Sequence, residues 1–331
     1  MNKKKKNQKK RLSALILLLL LTVVMLTTST YAWFTANKTV TIQGINVNVA
    51  TSSGLTISTD AQNWKTSITN TDITTPTAWA TNTNQFPANL VPVSTAGIAD
   101  TTTGHLNMFD GTVGSNGTDF TLTSTASAAE AKGTSGNFIA FDIFLKTESA
   151  GTIYLTTSSN VIAKDGTEDK GLKNASRIAF VTEGNGASDL GATTYQGYKA
   201  GSAVAIWEPN SDVHTTNGVT AANDTYGITT TVGPGAAAIA YSGIKAAFAA
   251  GIKLNEANST TNGTYFQDVT TVKTIATPTA YTSILTLATG VTKYRVYLWV
   301  EGQDVDCENN ASGSDITFNI QLSSNSAPTT P

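Results

Sequence analysis

A single cysteine, Cys307, and only two histidines, His105 and His214, stand in a chain of 331 residues. One thiol excludes an internal disulfide and any cysteine-rich zinc site. The histidines lie far apart, with no His-Glu-x-x-His or His-x-His spacing, which argues against a zinc hydrolase. Charge is scarce too: Asp, Glu, Lys and Arg make up 13% of the chain, against roughly 25% in an ordinary soluble domain. Thr, Ser, Asn, Gly and Ala fill the polar positions instead, as in many secreted β-proteins. No Gly-x-Ser-x-Gly elbow, phosphate loop or Gly-x-Gly-x-x-Gly turn follows a strand-like run. A Cys307/His couple has the wrong surroundings, because the acidic residues around Cys307 would raise its thiol pKa. The expectation is a protein that is not an enzyme and needs no cofactor.

What charge there is sits unevenly. Lys3, Lys4, Lys5, Lys6, Lys9, Lys10 and Arg11 precede every acidic residue, so the chain after Ala32 carries 14 basic against 23 acidic side chains. An acidic body repels phosphate backbones and makes nucleic acid a poor partner. The basic cluster leads into the apolar run Leu12–Leu26, the polar shoulder "TTST" and then "YA" before Trp33. This order is that of a secretory signal over residues 1–32, with Thr30 and Ala32 at the −3 and −1 positions and Trp33 as the first mature residue. An uncleaved signal anchor is the competing reading, since the run extended through Phe34 is long enough to cross a bilayer. In either case the lysines stay inside and the body is exported. Membrane contact is then confined to this segment before cleavage. No LPxTG-like motif or hydrophobic tail closes the chain.

Period-2 alternation of β-branched and aromatic residues marks the body as all-β. In "KTVTIQGINVNV", Val40 and Ile42 alternate, a bulge near Gly44 shifts the phase, and Ile45, Val47 and Val49 resume. "NFIAFDIFLKT" is apolar on both faces and reads as a central strand, with "TIYLTT" following across "ESAG" as a hairpin partner. "DITFNIQL" places Ile316, Phe318, Ile320 and Leu322 on one face and Thr317, Asn319 and Gln321 on a wet one. Short helices are expected at Ser124–Gly133 and, against Gly243 and Gly251, at Ala236–Asn255. The fold class read from this is a jelly-roll-like β-sandwich over residues 51–322 with insertions near 59–118 and 183–288, and a disordered tail over 323–331.

Two clusters compete with plain structural explanations. Glu301, Asp304, Asp306, Glu308 and Asn310 crowd one loop. Such a loop suits Ca²⁺, which takes about six to eight oxygens, or is an acidic hairpin loop stabilised by Asx-type turns. Its spacing begins like an EF-hand, but Asn309 replaces the required Gly and Asp315 the final Glu. Trp64, Trp79, Trp207 and Trp299 would make a sugar-stacking platform if they faced outward together, but they share no spacing and fit core or loop-anchoring roles as well.

The junction Thr30, Tyr31, Ala32, Trp33, Phe34, Thr35, with the strand Val40–Val49 behind it, resembles the TasA/camelysin (CalY) family of Gram-positive biofilm-matrix proteins, exported with a SipW-type signal peptidase. "FIAFDIFLKT" is similar to the family's central strand. The likeness covers about the first fifty residues. Ala36 stands where the family has an acidic residue, and no metal-ligand set supports the protease activity described for camelysin. The resemblance implies a secreted jelly-roll subunit that polymerises head to tail with itself, residues 33–50 acting as a donor strand for the next copy. The donor face would be Val40, Ile42, Ile45, Val47 and Val49. Exposed, such a strand would be an aggregation liability, and a neighbour's sheet would satisfy its amides and bury its side chains. The alternatives are that the strand simply joins its own sheet, and that the protein is a monomeric, membrane-anchored adhesin or carbohydrate-binding module.

Overall fold

The computed structural model describes residues 33, 40–50, 54–115, 119–164, 170–199, 201, 203–222, 241–308, 313 and 315–327. Within them the chain is mostly β-sheet with a few short helices. Thr30, Ala32, Asn310 and the apolar run Leu12–Leu26 lie outside the described residues, and among those described no helix is long and apolar enough to cross a membrane.

One sheet runs in the order β17 (Thr282–Leu287), β9 (Gly151–Leu155), β19 (Asp315–Ser323), β1 (Val40–Val49), β3 (Ser67–Ile68), with β10 (Asn160–Ala163) also on β19 and β4 (Asn89–Leu90) on β1. A second is ordered β16 (Val272–Lys273), β12 (Ala203–Glu208), β11 (Ser176–Gly186), β18 (Gly290–Val300), β8 (Ile139–Thr147), β2 (Thr56–Ser58). Their facing sides share one core. Val40, Ile45, Val47 and Val49 of β1 and Ile316, Phe318, Ile320 and Leu322 of β19 meet the Phe141 side of β8 and the Val296 side of β18. Alternation in the sequence thus becomes two faces in space.

The second face of the β8–β18–β11 sheet is also covered, which explains why β18 is buried along its whole length. The insertions supply that cover. With β7 (Phe120–Ala126), just beyond the first of them, they form β5 (Val93–Ser94), β6 (Phe109–Ser115), β7 and β14 (Phe248–Lys253) as a four-stranded sheet, and β13 (Ser242–Ile244) with β15 (Phe266–Asp268) as a two-stranded one. Leu106 and Met108 pack on Ala179, Tyr297 and Trp299 of the main sheet.

Several expectations change. Ser124–Gly133 contains no helix, because β7 runs to Ala126 and pairs with β6. In Ala236–Asn255 the described part is strand followed by a 3-10 turn, and Gly243 lies so close to the Thr95 carbonyl that a Cβ would meet it at 1.9 Å. "ESAG" is not a hairpin: β8 and β9 belong to different sheets, so the chain crosses the core there. The expected disordered tail does not start at 323, since Ser323 ends β19 and is buried, and residues 328–331 lie outside the described ones. The bulge in β1 is present between Ile42 and Gly44, and β19 shows the expected buried and half-wet alternation.

Candidate functional site: the N-terminal seat, the acidic loop and a charged cleft

β1 is inserted in its own sheet. It pairs in parallel with β19, Thr41 opposite Asp315 through Val49 opposite Leu322, and its other edge meets β3 and β4. At the bulge, where neither short strand reaches, the Asn70 side chain accepts from the Ile45 amide at 2.7 Å. On the wet face Asn46 donates to Asn319 and Asn319 to Asn160, at 3.0 and 2.8 Å, a cross-strand amide ladder. Val40, Ile45, Val47 and Val49 are buried and Ile42 is half-buried. Within one molecule the strand follows the alternative of joining its own sheet, its apolar face covered by the chain's own core.

Trp33 is held separately. Its indole lies between the backbones of Gly111 and Gly302, where a Cβ on either would come within 2.5 Å of the ring. The indole N–H donates to Gln303 Oε1 at 3.2 Å, and Phe109, Leu122 and Val305 complete a second core around it. Its φ of 79° is in the left-handed region, which costs a bulky residue about 1–2 kcal/mol and is outweighed here by burial of a large aromatic surface.

The acidic loop is not an open bowl of oxygens. Glu301, Asp304, Asp306 and Glu308 are all buried. Asp304 takes Arg177 Nη2 at 2.6 Å and the Asp306 amide at 2.8 Å. Asp306 Oδ1 takes the Thr215 amide and hydroxyl, both at 2.7 Å, while Oδ2 takes Asn174 at 3.1 Å and lies 3.1 Å from His214 Nδ1. Glu301 accepts from the Trp299 indole at 3.0 Å and from the Gln303 amide at 3.1 Å. His214, Asp304 and Asp306 do converge within 4.8 Å. Their oxygens are already bonded by protein donors, however, and a guanidinium sits among them, so the set does not fit Ca²⁺, which needs several free oxygens. The loop instead clasps the insertions to β11. Cys307, beside it, is buried, and burial pushes its thiol pKa far up, leaving it inert.

The third feature lies at the other end of the same outer face. Glu130, Asp142, Glu183, Lys293 and Arg295 form a buried ion network there, Arg295 standing directly opposite Asp142 across β18 and β8. It floors a cleft of about 580 Å³ rimmed by Trp79, several threonines, Gln196 and Lys199. Reading by periodicity alone did not single out this set. The usable signal was the alternation of Lys293, Arg295, Tyr297 and Trp299 on one side of a strand otherwise apolar. Trp207 and Trp299 are fully buried and Trp64 and Trp79 half-buried; Trp79 lines the cleft.

These buried groups set a pH dependence. Burial, reinforced by Asp142, raises Glu183 to about 7 despite Lys293, and burial raises Glu301 to about 7 against its hydrogen bonds from Ser94 and Trp299. Both carboxyls therefore bind a proton on folding between 4.5 and about 7, and stability falls as pH rises through that window. For His214, burial lowers the pKa but the Asp306 hydrogen bond and the Asp304 charge outweigh it, so the net shift is upward. Its contribution is full below 6.5 and is lost as pH rises through the folded value. In Asp60, burial is outweighed by hydrogen bonds from Asn63 and Gln62, and in Asp268 the Ser242 and Ser259 hydroxyls dominate; both pKa values are lowered, so their contributions disappear as pH falls below 3.8. Thermal melts should peak near about pH 5 and fall by several degrees by about pH 8. A flat or rising profile over that interval would mean that the buried carboxyls are hydrated in solution.

The chain matches no family model, no curated protein and no solved structure.

Proposed function

We propose that this chain is an exported, non-enzymatic structural subunit of an extracellular or biofilm-matrix fibre, a jelly-roll-like sandwich released by a SipW-type signal peptidase and linked to its neighbours by exchange of β1. The observation that carries the reading is the seat of that strand. β1 is the first strand among the described residues, it is followed by β2 from Thr56, and its ladder partners β3, β4 and β19 are held non-covalently. Any contact broken when β1 leaves its own sheet is remade when it enters the same seat in another copy. The exchange is then nearly neutral apart from the connecting segment and protein concentration, and head-to-tail donation stays open-ended. A membrane-anchored monomeric adhesin or carbohydrate-binding module is the second reading, favoured by the closed seat and by Trp79 at the cleft.

A disulfide across the Asn46–Asn319 contact separates the two. In mature protein starting at Trp33, the double variant Asn46→Cys, Asn319→Cys should remain monomeric when oxidised and form fibres when reduced, as followed by sedimentation and electron microscopy. Fibres from the oxidised form, or a reduced form that is monomeric at high concentration, would remove strand exchange and leave the monomeric reading.

A further inference from the structure

We propose that the cleft over Asp142 and Glu183 binds a primary ammonium group carried on a small polar molecule. The inference does not depend on polymerisation.

The cations in its floor are spent. Lys293 Nζ is ion-paired with Glu183 Oε2 at 2.7 Å and donates to the carbonyls of Tyr198 and Gln196 at 2.7 and 3.2 Å. Arg295 is engaged by Glu130, by Asp142 Oδ1 at 3.0 Å and by the Thr83 carbonyl at 3.0 Å. The carboxylates are not spent. Asp142 Oδ2 has only Lys293 at 3.6 Å, and Glu183 Oε2, though buried, meets Lys293 as an ion pair without a well-aligned hydrogen bond. Both residues line the cleft and are nine-tenths buried or more. Gly104, at φ 74°, keeps the space beside Glu183 Oε1 open, since a Cβ there would stand 2.6 Å from that oxygen.

The floor is therefore rich in acceptors and poor in donors, the opposite of an anion site. In the lining Asp142 and Glu183 stand against Lys293 and Arg295, and Glu130, ion-paired to Arg295 outside the lining, adds a third carboxylate to the network. The other charged or titratable groups facing it are His105, whose pKa burial lowers and which is neutral near pH 7, and exposed Lys199 at the rim, where solvent screens it. An ammonium supplies three donors for these acceptor oxygens. The threonine hydroxyls at the rim suit a polar carrier, either an amino sugar or an alkyl polyamine.

Titration calorimetry of the mature protein at low salt, with glucosamine, putrescine and glucose as probes, tests this. At least one amine should bind while glucose does not, and the amine should bind about fivefold or more tightly at about pH 7.5 than at about pH 5.5, because Glu183, near 7, is protonated at the lower pH. Binding of glucosamine alone assigns an amino sugar, and binding of both amines shows that the ammonium suffices. Glu183→Gln should weaken the amine about tenfold and flatten its pH dependence. Thr193→Trp, a rim substitution that leaves the ion network in place, should block the amine even if Glu183→Gln folds poorly. Glucose binding as well as the amines, no binding by any probe at millimolar concentration, or amine binding indifferent to Thr193→Trp overturns the proposal.

Discussion

A chain beginning at Ala50 should fail to fold alone, and a peptide spanning residues 33–49, added in trans, should restore the folded state. Removing those residues uncovers the facing parts of the main core, because Val40, Ile45, Val47 and Val49 are all buried in it. Each such side chain contributes about 1.5–3 kcal/mol by burial, an upper range because unfolded chains already bury some surface. Four of them together approach the whole stability of a typical domain, about 5–15 kcal/mol. The backbone loss adds to this. β19 would lose its ladder partner from Asp315 to Leu322 in the middle of a sheet, and the slot between Gly111 and Gly302 would be vacant. Circular dichroism and urea titration read the result. A truncated chain with an unchanged urea midpoint would show that the seat is dispensable, and rescue by the peptide would show that it can be filled from outside.

Arg177→Ala should destabilise the protein by about 3–5 kcal/mol near neutral pH, the usual cost of stripping one partner from a buried ion pair. Arg177 is fully buried. Its guanidinium lies 2.6 Å from Asp304 and 3.3 Å from Glu208, donates to the carbonyls of Asn174 and Ser176 at 2.7 and 3.0 Å, and covers the Tyr241 ring at 5.1 Å. Without it Asp304 and Glu208 face each other in a dry interior, with Glu301 close by. Arg177→Lys should recover little, since one ammonium cannot reproduce the fork that spans two carboxylates and two carbonyls. Part of the loss should return at about pH 5, as the orphaned carboxyls take up protons. Denaturant midpoints for both variants at the two pH values check this, and a loss below about 1 kcal/mol would mean water already solvates the cluster.

How much of this was legible in the sequence depends on which physics decided each element. Strands whose two faces differ in wetness, such as β19, and the strand apolar on both, β8, declare themselves by period alone, and so does the slip at Gly44. Partners do not. "ESAG" has the length of a hairpin loop, yet its flanking strands enter different sheets, a choice made by non-local packing. The helices expected in Ala-rich stretches gave way to strand pairing because those segments cover the outer face of a sheet and are stabilised by it, overriding weak local propensity. The acidic loop was visible as a cluster, but its partners, Arg177, Asn174, His214 and Thr215, lie about 90 or more residues away in the chain, so its role as an internal clasp had no local signature. In the sequence Trp33 is simply the aromatic after "YA", whereas its slot is built from Gly111 and Gly302, two positions that mean nothing until the fold brings them together.

The parallel register of the first and last strands fixes how the molecule bears tension. β1 begins beside the start of β19 and ends beside its finish, so Val40 and Ser323 stand at opposite ends of the pair. A pull applied between Val40 and Ser323 slides one strand along the other and stretches the rungs from Thr41 to Val49 simultaneously, where an antiparallel pair gripped at its open end would peel apart rung by rung.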